Sequence, residues 1–294
     1  MMKSNHMNQY AVNLIFILMA CASIFPFVLL VMASFTDQKA IINDGYSLLP
    51  SVFSLEAYKY MMKSSASLFR AYGITVFITI IGTVVGLAIS TMLAYPLSRS
   101  DMPLRKVMSF LVFFTLLFNG GLVSTYLIYT EFFHIKNTIW ALIIPGLLTN
   151  GFYILLIRTF FSTSIPAAII ESAYIDGASE FKIFYRIVLP LSLPILATIG
   201  LMLGISYWND WFNGLIFVTD SKLFSIQNML NRMLSDIQFL QKSSMTNASQ
   251  ASSNIPTDSV RMAIAVIGIV PIFCAYPFFQ KFFVKGLTLG AVKG

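Results

Sequence analysis

Five consecutive residues, Tyr207-Trp208-Asn209-Asp210-Trp211, bring two indole rings, an amide and a carboxylate into an otherwise apolar stretch. Indole faces stack on pyranose rings, and Asn and Asp hydrogen-bond sugar hydroxyls. A carboxylate within a membrane is costly unless it is paired or wet. The alternative is an aromatic belt at a membrane surface, with Asp210 capping or pairing locally. On a continuous helix Trp208 and Trp211 share a side, and Asp210 points elsewhere. The two tryptophans would then form a platform with Asn209 or Asp210 at its margin. Asn119, Tyr126 and Tyr153 offer similar hydrogen-bonding groups in other apolar stretches; their alternative is bonding between helices.

A second polar island is Glu171-Ser172-Ala173-Tyr174-Ile175-Asp176-Gly177, followed by Ile187-Val188-Leu189-Pro190. Pro166 suits a first helical turn, with Ser164 as the expected cap. Ile169 and Ala173 are spaced to share a face. Gly177 suits the left-handed residue that ends a helix. Ser179 is the expected cap of a second short helix through Arg186, and Pro190 forces a new start. The expectation is a bent hairpin, helix–glycine–helix, lying across the end of a membrane bundle. Glu171 is expected to favour an early helical turn.

Other chemistries find little support. His6 and His134 belong to no ligand-spaced cluster, and there is no Gly-rich loop carrying Lys-Ser/Thr for ATP. Cys21 and Cys274 lie in apolar runs and are expected to be free thiols.

The positioning elements must be membrane helices. The chain has 294 residues, 57% hydrophobic and 11% charged, with a mean hydropathy of +0.78. Soluble domains carry about 25% charged residues. The formal net charge of +7 is scattered between apolar runs, which argues against nucleic acid. Ala11–Phe35 is uncharged; at ~1.5 Å per residue it is longer than a signal-peptide core and crosses ~30 Å of hydrocarbon. It reads as span one, kinked at Pro26. Span two covers about Ala71 to Ser98 and contains Gly82-x-x-x-Gly86, which reads as a packing motif. Span three, Val107 to Thr130, is interrupted at Asn119-Gly120-Gly121. Span four runs from Thr138 to Ile157, span five from Leu191 to Val218, and span six from Met262 to Gln280. Residues 36–69 read as a polar loop with a short helix at Ser54–Met62. A second polar loop spans Asp220–Ser259, with Ser243–Asn254 its flexible part. The short turn at 99–106 carries three cations and the short loop at 131–137 carries one. That bias puts the amino end inside.

The spacing Glu171-Ser172-Ala173, three residues, Gly177, nine residues, Ile187-x-Leu189-Pro190 resembles the EAA signature of type I ABC importer permeases. Ser172 stands where Ala is usual. Tyr207–Trp211 resembles the Trp-Asn-acidic element of the carbohydrate, maltose-permease-like branch. Lys285-Gly286-Leu287-Thr288 through Gly290–Gly294 resembles that branch's terminal tail, and Asn119-Gly120-Gly121 resembles a subgroup handling complex oligosaccharides.

The resemblance implies an all-α integral membrane protein: a six-transmembrane-helix type I ABC importer permease fold with a cytoplasmic EAA coupling hairpin. Residues 1–10 would be a cytoplasmic N-terminus, and 11–69 the first transmembrane helix with an extracellular loop. Residues 70–284 would form the core permease domain, with coupling loop 164–186 and extracellular loop 220–259, and 285–294 a cytoplasmic tail. Glu171, Ser172, Ala173, Asp176, Gly177, Ile187, Leu189 and Pro190 would couple to the ATPase. Asn119, Tyr126, Tyr153, Trp208, Asn209, Asp210 and Trp211 would line the substrate path. The implied partners are a second homologous permease, two cytoplasmic ATPase subunits, an extracellular solute-binding protein, a carbohydrate and the lipid bilayer. Such a chain is not an enzyme and holds no cofactor; ATP and Mg belong to the ATPase subunits. It would sit in the bacterial cell membrane, multi-pass, with both termini cytoplasmic. The alternatives are an importer of the same type for a non-sugar solute, or an ion-coupled secondary transporter. The latter expects ionisable groups in mid-span.

Overall fold

The computed structural model describes residues 6–63, 65–246 and 257–291. Among them it is helical, with one isolated antiparallel bridge, Thr36 to Phe53. Two compact units emerge, one from Met1–Leu68 with Leu230–Pro271, the other from Phe69–Met229 with Ile272–Gly294.

In the first unit, α1 (His6–Ser34) runs through Pro26, and its apolar side chains are largely exposed. An apolar helix exposed all round is suited to lipid. The expected loop that follows holds two helices, α2 (Gln38–Asp44) and α3 (Glu56–Met62). Asp37 caps α2 by accepting from the Lys39 N–H at 2.9 Å. The turn is closed by the Ser54 N–H on the Phe35 carbonyl at 2.8 Å and by Phe35 stacked between Phe53 and Tyr58.

The second unit begins within α4 (Ser65–Ser98), one long apolar helix that belongs to it from Phe69 on. Span three is broken as Asn119-Gly120-Gly121 suggests. Helix α5 (Arg105–Leu117) and α6 (Gly121–Leu127), which runs on as a π turn over Ile128–Phe132, meet at 113°. Span four is not the single helix expected from Thr138. It is a short α7 (Trp140–Ile143), an irregular turn around Pro145 and Gly146, then α8 (Gly151–Ser164). Proline supplies no N–H and Gly146 has φ +71°, so the helix cannot run through. Asn150 starts α8 by accepting from the Phe152 N–H at 2.9 Å.

Helix α9 (Ala167–Ile175), α10 (Glu180–Ile183) with its π turn at Phe184–Val188, and α11 (Leu189–Leu191) lead to α12 (Leu193–Trp208). Helix α13 (Phe212–Phe217) and a 3-10 turn at Ser221–Leu223 precede α14 (Ile226–Thr246).

Helix α14 replaces the expected loop. Its apolar residues recur at helical spacing, and Ile226, Leu230 and Ile237 are buried. That amphipathic stripe is a helix signal; the polar composition around it hid the pattern. Of Ser243–Asn254, residues 243–246 finish α14 and 247–254 lie outside the described residues. Helix α15 (Thr257–Ala291) starts earlier and ends later than span six was expected to, so Lys285–Ala291 of the tail are helical; residues 292–294 lie outside the described residues. The Gln38 side chain binds the start of α15, accepting from the Asp258 and Ser259 N–H groups at 2.9 and 3.1 Å.

The Gly82/Gly86 pair packs as expected. A Cβ at Gly82 would overlap the Tyr207 ring, and one at Gly86 would lie 3.0 Å from the Leu148 carbonyl oxygen. Glycine lets α12 and the turn before α8 approach α4 closely. Tyr207, fully buried, then donates its hydroxyl to the Ile143 carbonyl at 2.8 Å.

Candidate functional site

The hairpin forms between Ile165 and Leu191. Pro166 precedes α9 with an extended backbone, φ −62° and ψ 131°, so it is the boundary residue. Ser164 is the last residue of α8 and does not cap α9, which corrects the expected cap. A residue before proline disfavours the helical region, and Ile165 is accordingly extended at ψ 114°. The 77° bend between α8 and α9 follows.

Helix α9 closes in a Schellman motif. The Ala178 N–H bonds the Ala173 carbonyl and the Gly177 N–H bonds the Tyr174 carbonyl, both at 2.9 Å, with Gly177 at φ +73°. This is the left-handed residue expected at 177, and both bonds satisfy carbonyls a helix end would leave open. Ser179 starts α10 with an extended backbone but makes no side-chain cap.

Pro190 does not force a new start. The run Glu180–Leu191 continues through it, and the break falls at Ser192, where α12 departs at 81°. The π turn just before explains this. The Leu189 N–H reaches back to the Phe184 carbonyl, so the helix widens where the proline lacks a donor and its ring crowds the preceding turn.

The hairpin has two faces. Ile170, Ala173, Ile183, Phe184 and Val188 join the main core cluster with Ala94, Leu97, Ile157 and Phe161. Ile169, expected to pair with Ala173, is exposed; Ile170 takes that place. Outward face Glu171, Ser172, Asp176, Pro190 and three apolar residues: Ile175, 87% exposed, Phe181, 69%, and Tyr185, 65%. Ile187 and Leu189 are half-buried. Glu171 is the fifth residue of α9, past the first turn, so the helix-dipole expectation fails. It makes no ion pair among the described residues.

A polar clamp holds the hairpin to the end of α4. Glu180 accepts from the Tyr95 hydroxyl at 2.6 Å through one oxygen and from the Tyr174 hydroxyl through the other. The Arg99 guanidinium lies over the Tyr174 ring at 5.3 Å. Asp101 orients it with two bonds at 2.9 and 3.0 Å, and Arg99 holds the Asp101 carboxyl below the usual carboxylate range. Sequence reasoning missed Glu180, Tyr95 and Arg99. Tyr95 and Glu180 are 85 positions apart, and only the fold brings them together.

The Tyr207–Trp211 element is not one helical face. Helix α12 ends at Trp208, Asn209 caps its end, and Trp211 precedes α13. The platform geometry built on a continuous helix is therefore corrected: Trp208 is the last residue of α12, and Trp211 lies across the break, just before α13. Trp208 meets the Tyr72 ring at 6.4 Å, while Trp211, 43% exposed, packs edge-on against Phe212. Asn209 is exposed and bonds the Ile205 carbonyl. Asp210 accepts from the Asn213 N–H at 3.2 Å through Oδ1, capping α13, while Oδ2 is buried without a partner. Asn213 donates to the Pro145 carbonyl at 2.9 Å, tying this break to the break in span four.

The remaining three residues are dispersed. Asn119 forms a turn, accepting from the Gly121 N–H at 2.8 Å. Tyr126 stacks on Phe217 at 5.8 Å and accepts from Lys136. Tyr153 packs in the separate cluster around Ala94 and Leu203.

The site is thus a bundle of apolar helices broken in spans three to five, with a hairpin that carries exposed apolar side chains. The family model for the inner membrane component of binding-protein-dependent transport systems matches residues 1–289. The chain belongs to that family, whose members are non-catalytic membrane permease subunits of ABC importers. It is 37% identical to the polygalacturonan/rhamnogalacturonan transport system permease YtcP of Bacillus subtilis over 280 residues, 95% of this chain and 96% of the relative. It is 31% identical to the trehalose/maltose permease MalG of Thermococcus litoralis, covering 95% and 94%. Its fold matches a bacterial ABC transporter that imports the acidic polysaccharide alginate, with TM-score 0.79 and 26% identity over 96% of this chain and 99% of that one.

Proposed function

We propose that this chain is the transmembrane subunit of an ATP-driven importer for oligosaccharides. The observation that carries the reading is the hairpin: its inner face is built into the bundle core and its outer face leaves Ile175, Phe181 and Tyr185 exposed. Single exposed apolar residues are ordinary, but three along one short hairpin suit a protein partner. The partner of that hairpin is a cytoplasmic ATPase subunit. Glu171 and Asp176 sit beside it for cations of that partner, and Ser172, Gly177, Ile187, Leu189 and Pro190 fix the hairpin's shape. The assembly comprises a second permease, two ATPases that bind ATP and Mg, and an extracellular binding protein. Both termini face the cytoplasm. Residues 1–10, 11–69, 70–284 and 285–294 divide the chain into N-terminus, first span with loop, core and tail.

Sugar specificity is supported by the relatives, several of which carry oligosaccharides in their names. Trp208, Asn209, Asp210 and Trp211, with Asn119, Tyr126 and Tyr153, form the proposed path. Proteoliposomes holding this chain, its partner permease, the ATPases and the binding protein test the reading. Labelled oligosaccharide should enter only with ATP inside the ATPase compartment and binding protein opposite. Uptake driven by a proton or sodium gradient without ATP would replace this reading with ion-coupled transport.

A further inference from the structure

We infer that the end of the bundle nearest the hairpin carries a binding site for a phosphate oxyanion, supplied by an acidic phospholipid headgroup. A cavity of about 620 Å³ opens there, lined by the turn that follows α4 at Ser100, Met102 and Leu104, by the start of α5 and by Arg158 of α8. Three cations line it, Arg105, Lys106 and Arg158. Arg105 and Arg158 come from different helices, yet both donate Nε to the same Leu97 carbonyl, at 3.0 and 3.1 Å. Two guanidiniums converging on one oxygen place like charges side by side, which is unfavourable without an anion between them. Using Nε on Leu97 leaves the terminal nitrogens of both forks, the geometry that grips phosphate in bidentate fashion. These nitrogens have no protein partner among the described residues.

No carboxylate lines the cavity. Asp101, next to it in sequence, has both oxygens committed to Arg99. A second observation points inward. Ser109, one turn along α5 from Arg105, has a buried Oγ with no hydrogen-bond partner, and it lines the same cavity. A hydroxyl so placed donates to an oxyanion held by the arginines.

The setting favours a lipid. Lys106 is followed by an apolar run from Val107 through Leu117, so the cations lie where hydrocarbon begins. Met102 and the exposed Leu104 add an apolar wall to the cavity. Headgroup phosphate would sit on the cations with its acyl chains along α5. The site lies beside the Arg99 clamp, and its occupancy would steady the α4 end that holds the hairpin.

The test uses the purified transporter complex in nanodiscs and needs no transport. Retained phosphatidylglycerol is measured by native mass spectrometry against phosphatidylcholine. Wild type should retain phosphatidylglycerol preferentially, and retention should fall by roughly five-fold for each cation removed in Lys106→Gln and Arg158→Gln. Arg158→Lys should recover part of the loss. Lys106→Gln removes no protein hydrogen bond, so it separates binding from folding. If millimolar inorganic phosphate raises the melting temperature of wild type but not of the variants and displaces the lipid, the site stands and its ligand is a soluble phosphate. Equal lipid retention by wild type and variants, with no phosphate-dependent melting shift, overturns the proposal.

Discussion

Removing the Glu180 carboxylate should loosen the hairpin while leaving the bundle folded. In Glu180→Ala two hydrogen bonds to a charged acceptor disappear, one from Tyr95 and one from Tyr174. Such bonds contribute about 1.5–3 kcal/mol each when buried. Tyr95 is only 8% exposed, but Glu180 is exposed, and solvent screens its share. A discounted value of about 1 kcal/mol per bond gives about 2 kcal/mol in all, near thirty-fold in the ratio of clamped to released hairpin. Tyr95→Phe removes one bond and should give about five-fold. The apolar packing of Ile170, Ala173, Ile183 and Phe184 remains, so the hairpin should open locally rather than unfold. Hydrogen exchange of the amides at 174–186 in the assembled complex reads this directly. Exchange should accelerate in the order wild type, Tyr95→Phe, Glu180→Ala, with amides of α12 unchanged. Identical exchange of the hairpin amides in all three proteins would refute the clamp.

Gly177→Val should weaken assembly with the ATPase and abolish uptake while membrane insertion survives, because φ +73° costs a β-branched residue on the order of 1 kcal/mol or more; co-purification of the ATPase with the variant checks it. Gly82→Ala should destabilise the bundle by about 2–5 kcal/mol, since the added methyl meets the buried Tyr207 ring and its bond to Ile143, and Tyr207→Leu should partly rescue it in thermal melts. Trp208→Ala and Trp211→Ala, on either side of the helix break, should differ from each other in uptake per assembled complex if only one faces the path; unchanged uptake in both removes them from it. The Asp101 carboxyl titrates low because of Arg99, so its contribution is complete above about pH 4 and fades as pH falls further; the protection factors of the hairpin amides, with the intrinsic pH dependence of exchange divided out, should therefore be flat between neutral pH and mild acid.

Local rules carried the sequence reading where a single residue type decides the backbone. Gly177 ends its helix as its freedom at positive φ suggests, and Asn119–Gly121 breaks its span. They failed where a distant group decides. Pro190 looked like a stop, yet a π turn one step earlier accommodates it. Residues 207–211 looked like continuous helix, but Asp210 and Asn213 close a break there, held from Pro145. Helix α14 was hidden because a polar composition outweighed a visible apolar period. Glu180 bears no local mark at all; its importance comes from Tyr95 and Tyr174 arriving on either side.

The angle at Ser192 has a mechanical meaning. The arm Glu180–Leu191 and α12 meet at 81°, so a pull along the first has almost no component along the second. It arrives instead as a turning moment. Ser192 is the pivot, and its buried hydroxyl makes no bond that would oppose a change of angle. A displacement of the hairpin tip would thereby reach α12 as rotation about Ser192, swinging its distant end without sliding the helix along its own axis.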